Sequence, residues 1–336
     1  MATVLMEQEP RIGLIGGGSW ATALAKIILD NRKSLNWYIR NPETLAAIQK
    51  TGRNPRYLSS VPLNTSGICF CENINQLVET SDILLIATPT AFVSSWLEGL
   101  TVSLDHKWII SAIKGLIPGL HLTLTEYFRE VYNIPFNRMG VISGPTHAEE
   151  IALERKSLLT IATKHRSTAK TLSQFFDCHY VHTVLSDDIY GIEYAGVLKN
   201  IFAVAAGICH GLGYGDNFQA VLVANAYKEM KQFLNDSYAH QRDLSQSVYL
   251  GDLLVTAYSQ FSRNRIFGNM IGKGYSVKFA QLEMQQVAEG YYAVAGIHEI
   301  NKVHGIDMPI TEAVYHILYE NITPYVEMKI LAEKLK

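Results

Sequence analysis

The sequence is poor in cysteine and carries no excess of either charge, and each shortage excludes a class of protein. Its four cysteines lie too far apart for a disulfide framework: Cys69, Cys71, Cys178 and Cys209. A reduced, cytoplasmic location is therefore the simplest interpretation. The formal net charge is -2 and no long run of Lys or Arg occurs, so the chain lacks the basic surface of nucleic-acid-binding proteins.

Signals for metal binding and secretion are missing as well. The eleven histidines are scattered, and the C-x-C at Cys69 and Cys71 has no further ligands beside it, so we expect no metal site. The N-terminus, MATVLMEQEPRIGLIGGG, has no basic region ahead of its apolar run and is not expected to be a signal peptide.

One stretch, Tyr194 to Cys209, is apolar nearly all round and contains Lys199 and Asn200 as its strongly polar residues. This pattern indicates a buried helix. A membrane span is the competing interpretation, but a Lys-Asn pair near the middle is costly in lipid. A buried lysine either pairs with a carboxylate such as Glu193 or takes part in chemistry, because burial disfavours its charged form.

A glycine-rich turn near the N-terminus predicts a dinucleotide site. The apolar run RIGLI leads into GGGSWATALAKIILDN, which is typical of a strand, a turn and an amphipathic helix. Gly16 would make the tight turn, Gly18 would let a pyrophosphate approach the main chain, and Ala21 would let helix and strand pack closely. The helix N-terminus would offer its N–H groups to the phosphates.

The next predicted strand, LNWYI, ends in Arg40, about twenty residues past the glycines. NAD-specific sites usually carry an acidic residue at this point, which binds the ribose 2′-hydroxyl. An arginine would instead pair with the 2′-phosphate of NADP. The sequence thus favours NADP(H) with NAD(H) also accepted, unless Arg40 is a solvated loop residue.

Strand and helix patterns alternate up to residue 190 and then give way to helices alone. The predicted strands after the first two are Ile68–Cys71, Ile83–Ala87, Trp108–Ile113, Met139–Ser143, Leu158–Thr163 and Tyr180–Leu185. This order predicts an α/β Rossmann-like, doubly wound sheet over residues 1–190 and an all-α substrate and catalytic domain over 191–336. A helix is predicted at Leu120–Val131 between two of the strands.

Candidate site residues follow the predicted strands and lie between the later helices. Ligands of such sheets bind beyond the carboxyl ends of the strands, which places Lys114 and Gly144–Ala148 at the expected position. Asp252 and Thr256 share a helical face, and Arg263 offers planar donors for a phosphate beside Ser262 and Asn264. Lys114 and Arg263 could equally lie on a solvated surface.

Seven motifs, in order, resemble those of the bacterial-type glycerol-3-phosphate dehydrogenases over nearly the whole chain. They are GGGSWATALA, IKG, SGPTHAEEIA, YAGVLKNIFAVAAGICHGLGYGDN, GDLLVTAYSQFSRNRIFG, VAEGYYAV and MPITEAVY. The resemblance implies NAD(P)-dependent interconversion of dihydroxyacetone phosphate and sn-glycerol 3-phosphate, which supplies glycerophospholipid synthesis. His147 stands where the family commonly has phenylalanine.

The resemblance also implies roles for individual residues. Lys199 matches the general acid/base, and Lys114 and Asp252 match the remaining catalytic positions. The implied substrate contacts are Lys114, Gly144, Thr146, Lys199, Asp252, Ser262, Arg263 and Asn264. The implied cofactor contacts are Gly16, Gly18, Ser19, Trp20, Arg40, Lys114, Ala148, Arg263, Val287 and Glu289.

Two other functions compete with this one. A hydroxy-acid dehydrogenase with the same order of domains would need a carboxylate site in place of the Ser-Arg-Asn set. A protein that senses NAD(P) without turnover would need none of Lys114, Lys199 and Asp252. A homodimer is compatible with the sequence, although no heptad or exposed apolar stripe marks an interface.

Overall fold

A computed structural model describes residues 9–31, 33–284 and 288–336, so Val287 lies outside the described residues. The chain forms two compact units. The first comprises residues up to Ile113 and Leu124–Ile189, and the second comprises Lys114–Thr123 and Tyr190–Lys336. The predicted domain division at residue 190 stays a prediction. The segment Lys114–Thr123, which follows a strand of the first unit, belongs to the second unit.

The first unit is built on an eight-stranded sheet with the order β3-β2-β1-β4-β5-β6-β7-β8. The predicted α/β class followed by a helical region is confirmed. The strands are β1 Ile12–Ile15, β2 Leu35–Tyr38, β3 Ile68–Cys71, β4 Ile83–Ile86, β5 Trp108–Ser111, β6 Met139–Ser143, β7 Ser157–Thr163 and β8 Val181–Ser186. The central strands β1, β4, β5 and β6 are buried along their whole length, as expected of a sheet covered on both faces.

The sheet is parallel except between β6 and β7, where Ile142 pairs with Ile161 in an antiparallel ladder. The helix between these strands, Ala148–Ala152, has five residues and is about 7.5 Å long. A five-residue strand is about 17 Å long, so this helix is too short to return the chain to the start of β6. The last two strands, β7 and β8, are parallel to each other.

Among its described residues, the first unit has seven α-helices between or beside the strands. They are α1 Ser19–Asp30, α2 Pro42–Thr51, α3 Ile74–Thr80, α4 Val93–Leu97, α5 Leu124–Tyr132, α6 Ala148–Ala152 and α7 Arg166–Phe176. Helix α1 is buried over most of its surface and joins one core with β1, β4 and α7. This burial fixes the glycine-rich turn that precedes α1.

The predicted helix over Leu120–Val131 starts too early, because α5 begins at Leu124. Before it, the N–H of Ile117 donates to the carbonyl of Leu122 at 2.9 Å, which closes a tight loop. Gly119 and His121 have φ angles of 78° and 57°. An α-helix cannot contain such left-handed residues, although the apolar spacing of this stretch resembles that of a helix.

After Tyr190, all the regular secondary structure in the described residues of the second unit is helical. Its helices are α8 Ile189–Gly211, α9 Asp216–Ser237, α10 Asp252–Tyr258, α11 Arg263–Gly272, α12 Val277–Glu283, α13 Glu289–His304, α14 Pro309–Tyr319 and α15 Pro324–Lys334. Within the described residues, α8 is the one helix long and apolar enough to cross a membrane, and it is buried inside the protein. It is therefore a core helix.

The MPITEAVY motif has a structural explanation in this unit. It starts α14, whose first turn is capped by the buried carboxylate of Glu229 on α9. Glu229 accepts from the N–H of Ile310 at 2.8 Å, and from the N–H and hydroxyl of Thr311 at 3.0 and 2.6 Å. Burial raises the pKa of Glu229 to about 7, against the opposing effect of these donors.

Candidate active site

The glycine-rich turn between β1 and α1 has little room for side chains at its first two positions. Gly16 has a φ of +135°, and a Cβ there would lie 2.5 Å from the carbonyl oxygen of Ala87. A Cβ on Gly17 would lie 2.8 Å from Ile39 Cγ2, whereas a Cβ on Gly18 would meet no described atom within 4 Å. The turn is therefore closely packed at Gly16 and Gly17. It leaves free space at Gly18, which precedes the first residue of α1.

Two residues that the sequence analysis did not identify hold this turn in place. Trp37 Nε1 donates to the carbonyl of Gly16 at 2.6 Å. The amide of Asn54 donates to the carbonyl of Gly17 at 3.0 Å and to Thr22 Oγ1 at 2.8 Å. Neither has a local sequence signal, because both reach the turn from elsewhere in the fold.

The N-terminus of α1 fits a dinucleotide. Its N-cap is Gly18, which supplies no side-chain acceptor, and its first turn has no acidic residue. Trp20 Nε1 is buried and has no hydrogen-bond partner among the described residues. An anion at this helix end would meet N–H donors and the positive end of the helix dipole.

Arg40 lies on the protein surface just after β2. Its Nη1 donates to Ser95 Oγ at 2.6 Å, and its guanidinium lies 5.0 Å from the ring centroid of Phe92. These contacts restrict the exposed guanidinium to one position on the surface. Arg40 is thus placed to meet an anion beyond the end of β2.

The carboxyl end of β6 carries the predicted Gly144, Thr146 and Ala148. Gly144 has a φ of +142°, and a Cβ there would lie 2.6 Å from the carbonyl oxygen of Leu158. The N–H of Thr146 donates to the carbonyl of Gly144 at 2.8 Å, which folds the loop into a tight turn. Ala148 is buried and starts α6.

In the second unit, the structure brings Lys114, Lys199 and Asp252 together. Lys114 Nζ donates to Asp252 Oδ2 at 3.0 Å, and Lys199 Nζ donates to the other oxygen, Oδ1. The Lys199 and Asp252 side chains are 6% and 2% exposed, whereas the Lys114 side chain is 17% exposed. The buried Asp252 carboxylate is therefore the ion-pair partner of both Lys114 and Lys199.

Burial lowers the pKa of the Lys199 ammonium well below its usual range. The carboxylate of Asp252 opposes this change, and the positive charge of Lys114 adds to it. A lysine in this state can exchange a proton near neutral pH, which an ordinary exposed lysine cannot do.

Asp252 and Lys114 are both held through hydrogen bonds to their own main-chain carbonyls. A π-helical turn at Ser247–Gly251 runs directly into Asp252, and such turns are frequent at functional sites. Thr256 Oγ1 donates to the Asp252 carbonyl at 2.6 Å. Asn200, next to Lys199 on α8, donates through Nδ2 to the carbonyl of Lys114 at 2.7 Å. In the sequence, Asn200 was noticeable because it and Lys199 are the strongly polar residues of an otherwise apolar stretch.

The Ser262-Arg263-Asn264 set lies at the start of α11, in the same unit as the lysine cluster. Ser262 is its N-cap and accepts from the N–H of Arg265 at 3.3 Å. Asn264 is buried, and its Oδ1 accepts from the N–H of Gly290 at 2.9 Å. Glu289, the predicted cofactor residue before Gly290, is the first residue of α13.

The structure thus groups the predicted residues within each unit. Lys114, Lys199 and Asp252 form a bonded cluster, and Asn264 and Glu289 lie at neighbouring helix starts. The glycine turn, Arg40 and the β6 loop belong to the sheet unit. Within the described residues, no group of three or more His, Cys, Asp or Glu side chains could hold a metal ion.

The chain matches two family models and is similar to several proteins of one name. The models for the N-terminus and the C-terminus of NAD-dependent glycerol-3-phosphate dehydrogenase match residues 11–169 and 188–329. A glycerol-3-phosphate dehydrogenase (NAD(P)+) of an Exiguobacterium species is 34% identical over 96% of this chain and 95% of its own length. The enzyme of the same name from Staphylococcus carnosus is 32% identical over 96% and 97%.

A solved structure agrees with these matches. The crystal structure of glycerol-3-phosphate dehydrogenase from Coxiella burnetii superposes with a TM-score of 0.87 at 29% sequence identity. The similarity covers 97% of this chain and 99% of that one.

Proposed function

Because the chain belongs to the NAD-dependent glycerol-3-phosphate dehydrogenase family, we propose that it interconverts dihydroxyacetone phosphate and sn-glycerol 3-phosphate with NAD(P)(H). The observation that carries this proposal within the molecule is the cluster of Lys114, Asp252 and Lys199. The product supplies glycerophospholipid synthesis. We further propose a cytoplasmic location for the enzyme.

The phosphates of the cofactor would be held by residues of the sheet unit. The pyrophosphate would bind at Gly16, Gly18 and the first residues of α1, Ser19 and Trp20, where N–H donors meet the anion. Arg40 would pair with a 2′-phosphate, which favours NADP(H). When bound, the reduced nicotinamide supplies the hydride that reaches the ketone carbon. Ala148, Glu289 and Val287 complete the proposed cofactor contacts.

Lys199 supplies the proton. As the ketone is reduced, negative charge develops on its oxygen, and the Lys199 ammonium stabilises this charge and donates its proton there. In the reverse direction, neutral Lys199 takes the proton from the alcohol. Its lowered pKa keeps both forms within reach near neutral pH.

Asp252 and Lys114 set the working state of Lys199. The Asp252 carboxylate orients the Lys199 amine and limits the fall of its pKa, while Lys114 favours the neutral form by charge repulsion. Lys114 keeps part of its surface exposed, so it would be a second cation in contact with the substrate.

The substrate phosphate is the group that Arg263 recognises. A guanidinium matches phosphate oxygens with two parallel hydrogen bonds, and Ser262 and Asn264 add neutral donors beside it. Gly144 and Thr146 are further proposed substrate contacts. Anchoring the phosphate holds the reacting carbon in one place, which lowers the entropic part of the barrier.

The direct test is the loss of reduced-nicotinamide absorbance when dihydroxyacetone phosphate is added to the protein with NADPH or NADH. Dihydroxyacetone without its phosphate and a 2-keto acid are the comparison substrates. Turnover of the keto acid but not of dihydroxyacetone phosphate would point to a hydroxy-acid dehydrogenase. Cofactor binding without any turnover would indicate a sensing protein.

We predict that Arg263→Ala raises the KM for dihydroxyacetone phosphate by about 10- to 100-fold, because hydrogen bonds to a charged group contribute about 1.5–3 kcal/mol. Initial rates over a range of substrate concentrations measure this. Arg265→Ala is the matched control, since two residues along an α-helix turn the side chain by about 200°. An unchanged KM in Arg263→Ala would place the phosphate elsewhere.

We predict that Arg40→Asp shifts the preference from NADPH towards NADH by about 10- to 100-fold in kcat/KM, because the new carboxylate repels a 2′-phosphate and can accept from a ribose hydroxyl. Parallel assays with the two cofactors measure the ratio. Arg56→Asp, at an exposed arginine of the same unit, makes the same change of charge. A ratio that moves equally in both variants would reflect overall charge alone.

A further inference from the structure

One side of α8 carries four residues that are spaced by four positions: Gly196, Asn200, Val204 and Ile208. Residues with this spacing lie on one face of a helix, one above the other. Two glycines of α8, Gly207 and Gly211, lie close to this face. Because they have no side chains, other segments can approach the α8 main chain closely there.

Other segments of the same unit approach this face at successive turns. Lys114 lies against Gly196, at 3.6 Å from the position that a Cβ would take there. A Cβ on Gly290 of α13 would lie 2.7 Å from the carbonyl oxygen of Asn200 and 2.8 Å from Val204 Cγ2.

Helix α11 makes the remaining contacts with this face. A Cβ on Gly268 would overlap the carbonyl of Val204, and a Cβ on Gly272 would overlap the carbonyl of Ile208. Neither glycine can therefore be replaced without a shift of one helix against the other.

Asn200 links these contacts into one continuous chain. Its side chain donates to the carbonyl of Lys114 at 2.7 Å, and its own carbonyl lies against Gly290. The N–H of Gly290 in turn donates to Asn264 Oδ1 at 2.9 Å. The segments that carry Lys114 and Glu289 therefore both contact Asn200, the residue next to Lys199, and Asn264 is joined to them through Gly290.

We propose that Gly290 is a positioning residue for the reaction: its missing side chain lets the start of α13 rest on the Asn200 carbonyl. This contact, through the bond to Asn264 Oδ1, sets where the first turn of α11 lies relative to Lys199. The inference rests on the proposed function, because the distance that matters is the one between the phosphate-binding residues and the proton donor.

The size of the effect follows from the space available. A Cβ atom essentially never lies within 3.0 Å of a non-bonded heavy atom of a distant residue, and the obstructing Asn200 oxygen belongs to a helix main chain that cannot turn aside. A methyl group on residue 290 must therefore displace the start of α13, and Asn264 with it. A displacement of about 1 Å can cost about 10²-fold in rate.

The experiment is Gly290→Ala in the full-length protein, assayed with NADPH and dihydroxyacetone phosphate. We expect kcat/KM to fall by about 10- to 100-fold, mainly through a higher KM for the substrate. The pH dependence of kcat should stay as in the wild type, because Lys199, Lys114 and Asp252 do not lie on α13.

Gly296→Ala is the matched control. It adds the same methyl group to α13, six residues and about 9 Å further along, but its Cβ would lie 2.5 Å from Leu116 Cδ1, the end of a side chain that can turn aside. We expect it to lower the melting temperature and to leave the KM within about twofold of the wild-type value. Equal rises of KM in both variants would overturn the proposal, as would an unchanged KM in Gly290→Ala.

A double variant covers failure to fold. Val204→Ala with Gly290→Ala removes the side-chain part of the overlap and keeps the overlap with the Asn200 carbonyl. We expect it to fold and to retain the raised KM, and recovery of the wild-type KM would contradict the assigned contact. A wild-type protein without turnover of dihydroxyacetone phosphate would refute the proposed function instead, before any variant is made.

Discussion

Replacement of Lys199 by alanine is expected to lower kcat by about 10²–10⁴-fold, the contribution typical of a positioned general acid or base. The variant retains the ion pair between Lys114 and Asp252, but it lacks the amine that the proposed mechanism places at the substrate oxygen. Cofactor affinity should not change, since the residues proposed to hold the pyrophosphate belong to the glycine turn and α1. Single-turnover rates and a fluorescence titration with NADPH measure the two quantities.

Lys26→Met provides a matched control for this experiment. Lys26 is another buried lysine, held by Asp30 and Glu154 in the sheet unit. Its replacement should lower stability while kcat stays near the wild-type value. A Lys199→Ala variant with near wild-type kcat would end the assignment of Lys199 as the acid and base.

Replacement of Asp252 by asparagine is expected to destabilise the protein by about 3–5 kcal/mol, because it leaves two lysines around a neutral amide in a buried site. Asparagine has nearly the same shape, so the loss reflects charge rather than packing. Chemical denaturation gives the free energy of unfolding. A loss below about 1 kcal/mol would mean that Asp252 does not compensate the lysine charges.

The same variant should move the pH dependence of the reaction. Asp252 raises the pKa of Lys199, so removing its charge lowers that pKa further. Reduction of the ketone needs the ammonium form and is lost as the pH rises through this pKa; oxidation of the alcohol needs the neutral form and is gained. In Asp252→Asn, the fall in kcat for reduction and the rise in kcat for oxidation should therefore both occur at lower pH than in the wild type.

Stability should respond to pH with a defined sign. The pKa of Lys199 is lower in the folded state than in the unfolded chain, so between these two values the unfolded state binds more protons. The contribution of Lys199 to the free energy of unfolding accordingly rises with pH in this window. In Asp252→Asn the window extends to lower pH, and the loss of stability should be largest under acidic conditions.

Short-range patterns were enough to predict the strands and most helices. The run RIGLI-GGGSW gives β1, a turn and α1 because each of these elements depends on its own residues and their immediate neighbours. The same reasoning failed at Leu120–Val131, where Leu122 pairs with Ile117 and His121 is left-handed. It also could not give the antiparallel direction of β7, which depends on how far the short helix α6 can carry the chain.

The proposed catalytic cluster shows which contacts the local sequence could not predict. A lysine in an apolar helix indicated that a buried charge needed a partner, and the local sequence offered Glu193, whereas Asp252 was grouped with Lys199 through the family resemblance. The fold supplies Asp252, which is 53 residues away along the chain. The roles of the site residues that came from family resemblance stay predictions until the variants are measured.

The sequence by itself determined the class of fold, the dinucleotide turn and the presence of a charged group inside α8, since all three are written in local spacing and composition. Only the tertiary structure decided which groups neutralise that charge and how closely the helices approach α8. Gly268, Gly272 and Gly290 look like ordinary helix residues in the sequence. Their importance comes from the carbonyl groups of another helix that lie opposite them, and such contacts between distant segments have no signature in the spacing of residues along the chain.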